Sequence, residues 1–315
     1  MSEETDTGGR AVADSTKTKQ GWRRFLHNLK RSSREQAQLF VQSRMAVAGL
    51  LIILFYLVLA VISPYIIPYG PYERIYMLDG SWASLQPPSL AHPLGTTDSG
   101  YDVLSQLLLG SRIAMFVGIL GAFMVAVIGT TVGIVAGYYG GWIDEIVMRL
   151  VDILYGLPFI PFVIVLATVF GASVWNIIIG VALLYWLSTA RVIRSEVLTV
   201  RERPYVEAAE AAGASDFRIM TVHILPNVIP LSALYAAIAV GYSIVAQASV
   251  AFLGFGDPAV PSWGVMLQRA FVTQSFGQAW WWTIPPGLSI TLVVMGAYLV
   301  GRGYEEVVNP QLQEK

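Results

Sequence analysis

Apolar residues in this chain fall into long uninterrupted runs separated by polar connections. A membrane-spanning helix takes roughly 20 mostly apolar residues. Six stretches reach that length, at about 45–68, 112–137, 149–171, 174–193, 228–254 and 283–302. The interior of each is free of Asp, Glu, Lys, Arg and His, as a hydrocarbon core favours. Arg149 and Asp152 stand in the first turn of the third run, within snorkelling reach of the interface. Pro158 and Pro161 are expected to bend that span, because proline removes a helical hydrogen bond and crowds the preceding turn. The pattern predicts an all-α integral membrane protein with six transmembrane helices.

The polar connections set an orientation. Of the twenty Lys and Arg residues, all but Arg74, Arg112 and Arg269 fall on one side if the N-terminus is inside, and basic residues concentrate on the inner side of membranes. Both termini are therefore expected in the cytoplasm. Residues 1–44 read as a cytoplasmic basic tail with no apolar core of a signal peptide, and 45–315 as a six-helix domain. In the tail, Trp22, Phe25, Leu26 and Leu29 share one helical face among basic residues. A helix lying on the membrane surface fits them, and so does a solvated leader. The outer loop 69–111, rich in Pro and Gly, is expected to form an irregular cap. The outer loop 255–282 ends in Trp280-Trp281-Trp282, read as an interfacial anchor.

The inner loop 194–227 carries the most organised pattern. Pro204 suits the first position of a helix, and Tyr205 to Ala212 is rich in alanine and glutamate, which favour that state. Gly213 is a terminator free to take positive φ. Ser215 or Asp216 is placed to cap a second short helix running through Val222, with Pro226 near the start of the fifth span. The small residues Ala208, Ala209, Ala211, Ala212, Gly213 and Ala214 let another backbone approach closely. The predicted unit is a helix–turn–helix at the membrane surface, equally readable as a loop without a partner.

Composition narrows the chemistry. Hydrophobic residues make up 55% of the 315 and charged ones 13%, about half the charged share of a soluble domain. A net charge of −1 gives no sign of a nucleic-acid partner. Cysteine is absent, which removes thiolate nucleophiles and thiolate metal sites. The lysines stand only at 17, 19, 30 and 315, so the body cannot hold the Gly-rich, lysine-ended loop that cradles nucleotide phosphates. His92 and His223 have no second ligand at metal-binding spacing. Ser243 and Gln247, one turn apart in the fifth span, are candidates to line a polar path, although such residues also serve as packing glue. No catalytic, cofactor or metal residue is expected. An ion-coupled secondary transporter lacks the intramembrane charges expected of it, a channel lacks a charged ring or filter, and a membrane enzyme lacks a Gly-x-Ser-x-Gly elbow.

Five stretches, the inner loop among them, carry a family resemblance. They are Ser43–Leu50, His92-Pro93-Leu94-Gly95-Thr96 through Gly100 and Asp102, Tyr138–Asp144 with Arg149 and Asp152, Phe252-Leu253-Gly254 with Pro261-Ser262-Trp263-Gly264, and Glu207-Ala208-Ala209 with Gly213 and Leu225-Pro226. With these stretches in their order and spacing along the chain, it resembles the second permease subunit of prokaryotic ABC importers for dipeptides, oligopeptides and nickel. The last stretch is similar to the EAA loop of that family. Thr97, Tyr101, His223 and Gly301–Glu305 depart from its usual pattern.

The resemblance implies a type I ABC importer-like transmembrane domain in the prokaryotic plasma or inner membrane. It implies a heterodimer with a second homologous permease, one or two ABC ATPase subunits and an extracellular or periplasmic substrate-binding protein. Magnesium–ATP would be bound and hydrolysed by the ATPase, with no cofactor on this chain. The coupling residues would be Glu207, Ala208, Ala209, Ala211, Ala212, Gly213, Ala214, Ser215, Asp216, Leu225 and Pro226, with Ala211–Asp216 deepest in the ATPase groove. The cargo is left open among dipeptide, longer peptide, nickel chelate and sugar.

Overall fold

The computed structural model describes residues 40–308, with side chains to Glu305. The tail residues Trp22 to Leu29 lie outside the described part. Its helices are α1 (Arg44–Ile66), α2 (Val103–Tyr139), α3 (Gly141–Tyr155), α4 (Phe159–Phe170), α5 (Val174–Arg201), α6 (Pro204–Ala211), α7 (Asp216–Phe255), α8 (Trp263–Val272) and α9 (Trp280–Val308). Among the described residues the only extended pairings are two isolated bridges, Tyr76 with Trp82 and Thr96 with Asp102.

Five helices, α1, α2, α5, α7 and α9, are long and apolar enough to cross a membrane. The third predicted span is not one straight helix. It is the pair α3 and α4, bent by 80° at Gly156-Leu157-Pro158. Pro158 has no N–H to give and keeps Leu157 out of the helical region, so the break sits there. Pro161 lies in the first turn of α4, where proline is tolerated. α3 turns Trp142, Ile146, Leu150 and Ile153 outward, while Asp144 and Asp152 meet Arg194 and Arg191 of α5. It is thus amphipathic, with an exposed apolar face beside the exposed polar residues Glu145 and Arg149.

Several helices outrun the apolar runs. α2 starts at Val103 rather than 112, because Asp102 Oδ2 caps Ser105 N at 2.8 Å and Gln106 Nε2 donates to Pro71 O at 2.8 Å. Paired polar groups let the helix continue where hydropathy fails. α5 runs on to Arg201 with Val197 and Val200 buried. The expected outer loop 255–282 contains a helix, α8.

Lipid is as apolar as leucine, so close van der Waals contact holds such helices together. The most extensive contact is α2 on α5. Gly129, Gly133 and Gly137 line one face of α2 there. A Cβ on Gly133 would stand 2.7 Å from Ala190 O, and one on Gly137 would stand 2.8 Å from Val197 Cβ. The α1–α9 crossing is equally tight, with a Cβ on Gly49 only 2.6 Å from Gly296 O.

The two ends of the bundle differ. At one end the 67–102 segment, α8 and the start of α9 form a cap. Its Thr96, Thr97 and Asp102 are buried, and His92 Nδ1 lies 3.1 Å from Asp102 Oδ1. Thr97 and Tyr101 close their turn on each other: Thr97 N donates to Tyr101 O at 2.9 Å and Tyr101 N to Thr97 Oγ1 at 3.1 Å. The three consecutive tryptophans do not act as one anchor. Successive helical side chains point about 100° apart. Trp280 therefore faces out, Trp281 Nε1 donates to Thr96 O at 3.2 Å, and Trp282 is wholly buried with Trp263, Met115 and Met266. The loop built around Glu207 occupies the opposite end.

Candidate functional site

α5 ends at Arg201, and after a two-residue turn Pro204 opens α6. Glu207 lies in the first turn, where a carboxylate suits the positive end of the helix dipole. The helix closes in a Schellman motif: Gly213 N donates to Glu210 O at 2.9 Å and Ala214 N to Ala209 O at 3.1 Å. Gly213 has φ +78°, the left-handed conformation that this closure requires and that glycine adopts without strain. Ser215 takes the extended N-cap conformation before Asp216, as expected, but its side chain makes no capping bond.

One face of the unit is bolted down. Val206, Ile219 and Ile224 are buried in a cluster with Ile134 and Tyr138 of α2, Ile193, Val197 and Val200 of α5, and Val228 of α7. Tyr138 OH donates to Asp216 Oδ1 at 3.1 Å, tying the tip to the end of α2. The opposite face is open: Glu207, Ala208, Ala211, Ala212, Gly213, Ser215 and Asp216 are exposed, Ala209 and Ala214 half-buried. Phe217 is 73% exposed beside them. The pattern of small residues did not single it out, although a lone aromatic just past a helix cap in a polar loop was a readable signal.

The second limb is not a separate short helix ending at Val222. It runs on from Asp216 into the long span, giving the 40-residue α7, which stays helical until a kink at Gly254 (φ +92°) near its far end. The device is a π-turn at Ile219–Ile224, where Leu225 N donates to Met220 O five residues back. The ring of Pro226 would press on the preceding turn of a regular α-helix. The wider turn absorbs that without a break, and Leu225 and Pro226 stay half-buried. Asp216–Arg218 are therefore continuous with a membrane-length helix.

The neighbouring α3 is fastened to α5 just ahead of the loop. Arg194 grips Asp144 through Nε and Nη2. Arg191 pairs with Asp152 and lies 4.3 Å over the Tyr155 ring. An exposed pair such as Arg191–Asp152 adds little stability; the value of the two pairs here is geometric, fixing α3 to the helix that enters the loop.

The two candidates for a polar path both lie on α7. Ser243 and Gln247 are 0% and 3% exposed, on the side of α7 facing other helices. A Cβ on Gly121 of α2 would stand 2.6 Å from Ser243 Oγ. They pack inside this chain and face no open surface. An open groove of about 510 Å³ lies at the α3–α4 break, walled by α5 and α7. Among the described residues no group of three or more His, Cys, Asp or Glu is placed to hold a metal ion.

Residues 129–314, which include the whole loop and the spans around it, match the family model of the binding-protein-dependent transport system inner membrane component. Residues 34–88 match the N-terminal TM domain of oligopeptide transport permease C. Among curated relatives, the dipeptide transport system permease protein DppC of Bacillus subtilis is 34% identical over 96% of this chain and 90% of its own length. The glutathione transport system permease protein GsiD of Pectobacterium atrosepticum is 34% identical over 89% and 91%. The oligopeptide transport system permease protein OppC of Haemophilus influenzae is 33% identical over 86% of each.

Proposed function

The chain belongs to the family of binding-protein-dependent transport system inner membrane components, and on that premise we propose that it is half of the path of an ATP-driven importer of short peptides. It is a multi-pass permease subunit with the type I importer membrane domain of that family. A second, similar permease completes the path. One or two separate ATPases bind and hydrolyse magnesium–ATP, and a binding protein delivers cargo at the cap end. The Glu207 loop and both termini face the cytoplasm, in keeping with where the arginines lie. Peptide cargo is supported by the relatives, whose names specify dipeptide, oligopeptide and glutathione transport.

The observation that carries the coupling role is the two-sided build of the loop. One face, through Val206, Ile219 and Ile224, is buried against α2, α5 and α7. The other offers small side chains and one exposed phenylalanine. Exposed large apolar side chains amid small ones are what a packed protein partner covers. When the ATPases close on ATP, the loop moves with them, and α7, continuous with the loop, carries the movement into the membrane.

The test is affinity purification of the tagged chain from native membranes in mild detergent, with mass spectrometry of what accompanies it. A second six-span permease and an ATPase are expected. Recovery of the folded chain alone would overturn the coupling role and restore an autonomous carrier or channel.

A further inference from the structure

The groove at the α3–α4 break differs from the lipid-facing surface in what lines it. Its wall includes Tyr155 and Leu157 at the break, Tyr185 and Ser188 on α5, and Tyr235 and Tyr242 on α7. Tyr242 is 63% exposed and Tyr155 47%. The outward face of α1, by contrast, is Leu50, Leu51, Leu54, Phe55, Val58 and Val61, and its one exposed hydroxyl, Tyr65, stands in the last turn at the helix end. No residue lining the groove is charged.

Two further features set the groove apart, one of them pointing to a polar occupant and the other to a link with the loop. The backbone breaks there, through 80°, and non-helical main chain at membrane depth is stable only inside protein or against a water-filled cavity. Gly156, Leu157 and Pro158 are exposed at that break. The walls α5 and α7 are also the two helices that the Glu207 loop joins, so whatever moves the loop changes the groove's shape.

We propose that this groove is one half of a transit site for the main chain of short peptides, read by phenol hydroxyls and without fixed charge. The inference rests on the peptide-importer reading above. A phenol both donates and accepts a hydrogen bond, so it meets an amide N–H or C=O regardless of the side chain beside it. The ring faces take apolar side chains. An uncharged wall has no preference for the sign of the cargo and holds it weakly, and weak holding is what passage requires.

The chain has no cysteine, so cysteines introduced singly report without background from this subunit. The test uses the whole transporter in proteoliposomes with its binding protein, a charged membrane-impermeant thiol reagent read by mass on this chain, and trialanine as the probe. Measurements are made with and without ATP plus vanadate. Ser188→Cys, a near-isosteric change, and Tyr242→Cys should react in at least one nucleotide state, while Ser243→Cys should not. Trialanine should slow the reaction about tenfold, as expected with peptide at roughly ten times its dissociation constant.

No reaction at Ser188→Cys or Tyr242→Cys in any state means that lipid or a partner helix covers the groove, and overturns the proposal. So does reaction indifferent to trialanine in vesicles that take trialanine up. Parent vesicles that hydrolyse ATP yet take up neither trialanine, a dipeptide nor glutathione refute the peptide cargo itself, which separates that failure from the groove's. The Tyr235→Phe, Tyr242→Phe double variant keeps both rings. It should lower uptake about two- to tenfold, the size of one net hydrogen bond; unchanged uptake overturns the role of the hydroxyls.

Discussion

Gly213 offers the sharpest separation of backbone from contact effects in the loop. Its φ is +78°, and a Cβ there would meet nothing within 4 Å in the isolated subunit. Within this chain, Gly213→Ala therefore costs only the left-handed conformation, about 1–2 kcal/mol. A penalty of that size lowers the population of the closed turn about 5- to 30-fold. Gly213→Asn should cost less, because Asn visits that region more readily. Gly213→Asp shares much of that tolerance but adds a negative charge between Glu210 and Asp216, on the face assigned to the ATPase. The expected order of uptake is parent, then Asn, then Ala, with Asp abolished. In all three the spans should stay folded by circular-dichroism melts in detergent, since Val206 and Ile219 remain buried. Uptake in proteoliposomes and retention of the ATPase on the tagged chain are the readouts. An Asn variant as dead as Asp, beside an Ala variant at the parent rate, would refute the backbone account and leave side-chain bulk at the contact. All three at the parent rate would refute coupling through this loop.

Two other perturbations probe different links. Phe217→Ala removes a side chain that is 73% exposed, so thermal stability should stay within about 0.5 kcal/mol. Retention of the ATPase should fall sharply, because aromatic anchors at interfaces are worth about 2 kcal/mol or more; unchanged retention refutes the anchor. Gly133→Ala places a Cβ 2.7 Å from Ala190 O, a backbone atom that cannot rotate away. Overpacking of this kind costs about 1–3 kcal/mol, which outweighs the gain of about 1 kcal/mol in helix propensity. The melting temperature in detergent should drop, and an unchanged or higher value would refute the tight α2–α5 contact.

The sequence by itself determined much of the local structure, because those features depend on near neighbours. Long apolar runs can be satisfied only by helices in hydrocarbon, and five of the six predicted spans stand as single helices. Pro158 breaks its span because a missing N–H and a crowded Leu157 are properties of two adjacent residues. Gly213 takes its left-handed turn for a similar reason. The stripe Gly129, Gly133, Gly137 was also legible, as small residues four apart on one helix face, although it was not read as such.

What only the tertiary structure decided is which way each polar or aromatic group points. Hydropathy is a one-dimensional measure, and it stops wherever a polar residue appears. Gln106 and Asp102 extend α2 past that point only because the cap and the helix end supply partners for them. The close α2–α5 and α2–α7 contacts fix how the helices are rotated. That rotation turns Ser243 and Gln247 inward, and it leaves Tyr242, next in sequence to Ser243, facing the groove. The continuity of α7 through Pro226 rests on a π-turn, which the cluster around Ile219 and Ile224 stabilises from residues far apart in the chain. Spans and turns were written locally, whereas the groove, the bolted loop and the rod that joins them exist only once distant helices meet.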